Sequence, residues 1–331
     1  MILFLFQTAF MKIALRHLLL IVIFFGTACR PSQKKETVPV IGFMDLLVDE
    51  TLDQARQGFF DALKKNGFSE DSATLKVIYR NAQSDIPTLK QIADYFISEK
   101  VTLIATNPSL STINAAQQTR EIPICMMVSP SPKNARLLDE EGNAPPNLFG
   151  VYEETWYIDT SVALIKKVLP GTRRIGTVYN QAEPQSRDAL AALEKTAAAL
   201  GMELVALPVN NSSESQLVLA SLIKKGIDVF FAAPDNTIFA SFPTIVKACN
   251  ESRIPIFTSE AGLVKLGAVA AFGADLYLWG YQSGEQAAQF LKQGNLEGIK
   301  PEVVNMRRRV FNPGVAQNFS IAFDSTYQPL N

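Results

Sequence analysis

VPVIGFMDLLVDETLDQARQGFFDALKKNG, residues 38–67, decides the fold. Its first six residues are apolar, uncharged and rich in β-branched side chains, the composition of a buried strand. From Leu52 the period changes. Ala55, Phe59, Ala62 and Leu63 recur at steps that bring them onto one face of a helix over 52–66. Gly67 then offers the left-handed backbone on which helices end. A strand feeding a one-sided helix is the beginning of a βαβ unit.

Outward from this unit the alternation continues. Strands over 75–79, 101–105 and 122–128 interleave with helices over 86–99 and 109–119. The predicted class is α/β, with doubly wound parallel sheets covered on both faces. The pattern then repeats. Ile41-Gly42 returns as Ile175-Gly176 and Gly67 as Gly201, both 134 residues later. VTLIATNPS (101–109) resembles IDVFFAAPD (227–235), and the helix after each runs into Ile-Pro-Ile, at 122–124 and 254–256. Four ordered landmarks predict two lobes built from one unit, divided in the proline-bearing stretch 143–151. Strand 268–272, helix 278–292 and strand 303–309 are too few for a third domain. They are expected to return to the first two sheets and so form a multi-strand hinge. The expected boundaries are 38–149 plus about 262–295 for lobe one, and 150–258 plus about 300–325 for lobe two.

The 331 residues carry 31 basic and 32 acidic side chains, a balance with no general pull toward nucleic acid. Residues 1–28 read as a secretory signal: Lys12 and Arg16, the apolar run 18–25, then small residues. That run is shorter than the roughly 20 apolar residues a membrane-spanning helix needs. Met11 is a more natural start than Met1, because the first ten residues lack a basic group. Gly26-Thr27-Ala28-Cys29 resembles a lipobox, with Gly26 where leucine is usual, so Cys29 is the expected lipidation site. Polar residues 29–37 then form a tether. Cleavage before Cys29 would take the net charge from −1 to −3 and remove His17, the one histidine. A chain without histidine cannot run a Ser-His-Asp mechanism or build the usual zinc sites.

In open parallel sheets, ligands bind beyond the carboxyl ends of the strands. That rule selects Asp45, Thr106, Asn107, Ser109 and Ser129 in lobe one. It selects Asn180, Glu183, Asp235, Asn236 and Glu260 in lobe two, and Asp275 on the return. Ser109 opens a helix whose first N–H groups favour an anion, though Ser109 or Ser111 also reads as an N-cap. Asp235 suits an ammonium group and equally an N-cap. Phe43, Tyr152, Trp156 and Phe272 are aromatic candidates near strand ends. Arg307–Arg309 reads as a solvated strand edge, and Cys125 and Cys249 as two buried free thiols. The sequence contains no GxGxxG, P-loop or GxSxG.

The segments 41–68, NAQSD (81–85), IGTVYNQAEPQS (175–186), APDNTIFA (233–240) and 254–294 resemble the tryptophan/tyrosine-binding type of ABC-transporter substrate-binding lipoprotein. The resemblance implies a periplasmic-binding-protein-like fold of type I. It implies capture of a small molecule, often an aromatic amino acid, for a permease and ATPase in the membrane. It further implies no cofactor, no catalysis, and a monomer held outside the cytoplasm by a lipid anchor. The family's ligand positions fall on the Thr106–Ser109 loop, Asn180, Glu183, Asp235, Asn236 and Glu260, and Asp275 matches a family acid. The chain departs from the family at Val48-Asp49, where Glu-His is common, and at Ser129-Pro130-Ser131-Pro132, where Asp-Pro is frequent. A ligand-sensing ectodomain and a two-domain α/β enzyme, such as a sugar-nucleotide transferase, are the competing readings.

Overall fold

The computed structural model describes residues 38–154 and 157–330. The expected signal, the tether with Cys29, and Trp156 lie outside the described residues. The first half runs β1 (Val40–Asp45), α1 (Glu50–Lys65), β2 (Lys76–Asn81), α2 (Ile86–Ser98), β3 (Leu103–Asn107), α3 (Ser109–Gln118), β4 (Ile124–Pro130) and β5 (Leu148–Glu153). The second runs α4 (Tyr157–Val168), β6 (Arg174–Tyr179), α5 (Pro184–Ala199), β7 (Glu203–Pro208), α6 (Ser215–Lys224), β8 (Val229–Ala232), α7 (Asn236–Glu251), β9 (Ile256–Thr258), α8 (Ala261–Lys265) and β10 (Ala270–Ala274). The return comprises α9 (Leu276–Gln293), β11 (Glu302–Val303), β12 (Arg307–Phe311), α10 (Pro313–Asn318) and β13 (Gln328–Pro329).

Two sheets result, ordered β11-β5-β4-β3-β1-β2 and β13-β12-β10-β9-β8-β6-β7. Every pairing is parallel except β10 with β12. Read outward from each lobe's second strand, the first five strands share one order, β2-β1-β3-β4-β5 and β7-β6-β8-β9-β10. This is the structural form of the repeat. The matched glycines do matched work: a Cβ on Gly42 would lie 2.7 Å from the Phe96 ring, and one on Gly176 would lie 2.4 Å from Ile227. The central strands are buried on both faces, which explains their continuous apolar runs.

The lobe boundaries differ from the expected ones. β5 continues the first sheet through Glu153, so the 143–151 stretch leads into a strand of lobe one rather than dividing the copies. β10 pairs with β9, Ala270 opposite Phe257, so residues 262–274 extend the second sheet instead of returning to the first. β10 is buried on both faces, and its ladder partners are β9 on one side and the antiparallel β12 on the other. The chain goes back to lobe one at α9, and again to lobe two between β11 and β12. With the passage from β5 to α4, three segments connect the lobes.

α9 is tied to lobe one by direct contacts. The Trp279 indole N–H donates to the Val151 carbonyl at 2.8 Å, and the Ser283 hydroxyl donates to Met126 O at 3.1 Å. Glycines on both helices let α9 touch α1 backbone to backbone. A Cβ on Gly280 would stand 1.8 Å from Ala55 O, and one on Gly58 would stand 2.0 Å from Tyr277 O. Gly280→Ala is therefore expected to lower the unfolding free energy by about 3 kcal/mol, seen as a lower urea midpoint. A midpoint unchanged from the parent protein would contradict this reading of the contact.

Most strands end about two residues beyond their predicted limits. The extra residues include Asp45, Asn107, Ser129 and Pro130. Polar side chains there hide the strand signal, yet they are buried, Asp45 and Asn107 against each other and α1.

Candidate functional site

The carboxyl ends of both sheets face a cleft containing two chambers. The first is a recess of about 480 Å³ that is open to solvent. Lobe one contributes Ser109, Val128, Ser129 and Trp279 to it; the β5 connection contributes Glu153 and Tyr157. Lobe two contributes Gln185, Asp235, Asn236, Phe239 and Glu260. Four of these residues carry buried polar atoms with no hydrogen-bond partner: Ser129 Oγ, Gln185 Oε1, Asn236 Nδ2 and Glu260 Oε2. Buried polar atoms ordinarily find partners, so this concentration in one cavity marks a place for a polar ligand.

Glu260 sits in the loop after β9, 2% exposed. Its Oε1 accepts long hydrogen bonds from the Tyr157 hydroxyl at 3.3 Å and the Ser259 hydroxyl at 3.4 Å. Burial, and then the neighbouring Glu153, push its carboxyl up to about 8. Glu153 is raised by burial too, against the opposing pull of Arg307. Arg307 donates from Nε to Glu153 Oε2 at 2.9 Å and from its Nη2 to Oε1 at 2.5 Å. This fork joins β12 of the second sheet to β5 of the first.

The aromatic surface comes from residues outside the candidate list. Tyr157, Phe239 and Trp279 line the chamber, whereas Phe43 lies in the core and Phe272 lies under the Arg309 guanidinium. Tyr157 and Trp279 sit in helices entered from the lobe connections, so no strand-end rule reaches them. Phe239 does lie one turn into α7, where the N-terminal helical face beside Asp235 offered a usable signal.

Five strand-end candidates line chamber one: Ser109, Ser129, Asp235, Asn236 and Glu260. Asn180, Glu183 and again Asn236 line the second chamber. The other four are engaged within the fold. Asp45 pairs with Arg56 at 2.9 Å and accepts from Asn107 Nδ2 at 2.9 Å. Burial outweighs that arginine and holds the Asp45 carboxyl at about 6. Thr106 exchanges a hydroxyl hydrogen bond with Thr112 at 2.9 Å. Asp275 caps α9 through Leu278 N–H at 3.2 Å and pairs with Arg308 at 2.9 Å. Thr106, Asn107, Asp45 and Asp275 thus correct the strand-end rule, which marks a level in the sheet and not the direction of a side chain.

Asp235 has both roles foreseen for it within reach, and its hydrogen bonds favour the cap. Oδ1 accepts from Ile238 N–H at 2.9 Å; Oδ2 accepts from Asn180 N–H at 2.7 Å and from Ser186 Oγ at 2.5 Å. α3, in contrast, starts at Pro108 without a side-chain cap, and Ser111 Oγ donates instead to Asn107 O at 3.0 Å. Its first turn faces the cleft at Ser109 and Leu110. Glu183 accepts from Asn236 N–H at 2.9 Å, and burial with nearby Asp235 raises its carboxyl to about 8. β13 pairs only with Val310 and Phe311, so the arginine run has a strand partner on its β10 side alone, and its arginines reach Glu153, Asp275 and Phe272. Cys125 and Cys249 are buried and free.

Two covalently linked lobes closing on a polar chamber define a ligand-binding clamp of the periplasmic-binding-protein type I class. A family model described as ABC transporter substrate binding protein matches residues 40–326, and the chain belongs to that family. A Clostridioides difficile (strain R20291) protein named "Tyrosine-binding protein" is 35% identical over 272 residues, covering 82% of this chain and 78% of the relative. A Vibrio cholerae conserved domain protein superposes with a TM-score of 0.81 at 25% identity, over 88% of this chain and 99% of that one. The fold is also that of a Streptococcus pneumonia ABC domain in complex with L-Trp, with a TM-score of 0.80 at 23% identity, over 87% and 97% of the two chains. The protein is thus a solute-binding component of an ABC transporter, and its family implies an extracytoplasmic location.

Proposed function

We propose that the protein captures an amino acid with an aromatic side chain, or a closely related aromatic amine, and hands it to an ABC importer without making or breaking a bond. The observation that carries this reading is Glu260. A buried carboxylate oxygen without a partner, in a chamber walled by Tyr157, Phe239 and Trp279, suits an ammonium group attached to an aromatic body. The uncapped first turn of α3, beside Ser109 and Ser129, suits the carboxylate. The names of the tyrosine-binding and L-Trp-bound relatives support the same class. Docking on one lobe and contact with the other would favour the closed state. Export through residues 1–28, lipidation at Cys29 and delivery by a monomer to a permease and ATPase complete the proposal.

The test is a thermal-shift screen with L-tyrosine, L-tryptophan and their N-acetyl derivatives. The free amino acids should raise the melting temperature through linkage, and the acetylated ones, lacking the ammonium, should not. Equal shifts from both sets, or turnover of a bound compound, would remove the reading.

A further inference from the structure

The cleft does not end at chamber one. The second chamber is a recess of about 610 Å³ that is open to solvent, and it shares Asn236 with the first. Its lobe-one wall is apolar, from Leu46, Ile86 and Leu110, while Asn180, Asn210 and Thr237 give lobe two an amide and hydroxyl wall beside the Glu183 carboxyl, which already accepts from Asn236 N–H and Gln185 Nε2. Among the described residues that line it there is no lysine or arginine.

The strand order arranges these groups in a row. Passing from β9 through β8 to β6 and β7, the lobe-two side presents Glu260, Asn236, Glu183 and Asn210 in turn. Neighbouring strands are about 4.8 Å apart, so the row from β9 to β6 spans roughly 10 Å, longer than the roughly 3.5 Å of one residue of extended backbone. α3 starts over the middle of the row, with Ser109 in chamber one and Leu110 in chamber two.

Between the chambers stand Asn236 and the pair Gln185 and Glu183, whose side chains are joined at 2.5 Å. Asn236 is 5% exposed, and its amide lies beside the Glu183 carboxyl while its Nδ2 makes no well-formed hydrogen bond; Gln185 is 7% exposed, and its Oε1 makes none. The partition therefore offers one unmatched donor and one unmatched acceptor. An amide group, with its own C=O and N–H, satisfies both.

We infer that the cleft takes a ligand one unit longer than an amino acid: an aromatic amine in chamber one, joined through an amide to an uncharged polar unit in chamber two. This rests on the amine position assigned to Glu260 above. Calorimetric titration of the protein with L-tyrosine, L-tyrosinamide and L-tyrosyl-L-serinamide separates the two claims. L-Tyrosinamide carries the same charge as the longer compound without its extension. The serinamide should bind about tenfold tighter than L-tyrosinamide. Ala182→Trp, at an exposed position that lines only chamber two, should bring that ratio to about one. Tyrosinamide binding as tightly as the serinamide, with tyrosine also bound, overturns the extension and leaves the amine site intact. Failure of all three compounds to bind overturns both.

Discussion

Glu260→Gln is expected to lower affinity for an aromatic amine or amino acid about 100-fold at pH 8, while raising the melting temperature of the ligand-free protein. Both effects have one cause. The carboxyl is fully buried and pushed up to about 8, so its ionised form is costly in the empty cleft and stabilised when an ammonium arrives. The sign of the pH dependence follows. Because the folded value lies above the ordinary 4.5, the group's contribution to stability is complete below about 4.5 and is lost as pH rises through about 8. Glutamine does not ionise, so the variant's melting advantage should grow between pH 5 and 9 in scanning calorimetry.

Ligand binding runs the other way. Below about 8 the free protein holds a proton that must leave before the ion pair forms. Affinity should weaken by up to about tenfold per pH unit below that value, with proton release on binding, and the glutamine variant should show no such slope. A wild-type affinity that is flat from pH 6 to 8, together with unaltered binding by Glu260→Gln, would remove Glu260 from the site.

Arg307→Leu is expected to cost about 3–5 kcal/mol of unfolding free energy, the penalty for leaving a buried carboxylate without its counter-charge. The side chain of Glu153 is 3% exposed and that of Arg307 14%, so water does not replace the lost fork. The backbone N–H of Glu154, 2.8 Å from Glu153 Oε1, is too little compensation. Removing both charges, in Glu153→Gln with Arg307→Leu, should recover most of the loss. Urea unfolding of the four proteins in the cycle measures the coupling. A single variant within about 1 kcal/mol of the parent would show that the fork does not hold the lobes together.

Glu153 also connects this fork to the ligand chamber. Its charge is the second cause of the raised Glu260 carboxyl. Arg307 does not line the chamber itself but pairs with Glu153, which does. The arginine run that reads as a strand edge in the sequence also carries, in the folded chain, an ion pair between the two sheets.

The strand–helix alternation was legible because burial on both faces demands continuous apolar runs, and a helix covering a sheet demands an apolar stripe. The repeat was legible for a related reason: Gly42 and Gly176 each lie beneath a side chain that leaves no room for a Cβ. The strand ends and the lobe assignment of β10 were not. Asp45, Asn107 and Ser129 are polar residues buried by contacts far along the chain, and hydropathy taken locally assigns them to loops. β10 is apolar on both faces and would suit either sheet; its pairing with β9 is decided by geometry.

The candidate site divides along the same line. Glu260, Asn236, Ser109, Ser129 and Asp235 stand at strand ends, and the topology of a parallel sheet is enough to bring that level of both lobes to a cleft. Which of them would face a ligand is a matter of side-chain direction and of partners. Asp45 and Asp275 have arginines to bind, whereas Glu260 keeps an oxygen without a partner. By itself the sequence determined the α/β class, the doubling of the unit and the level of the cleft, because periodicity and turn chemistry are local. Tertiary structure alone decided which carboxylates are neutralised, which aromatics wall the chamber and where the chain crosses between lobes, because each depends on groups brought together from distant parts of the sequence.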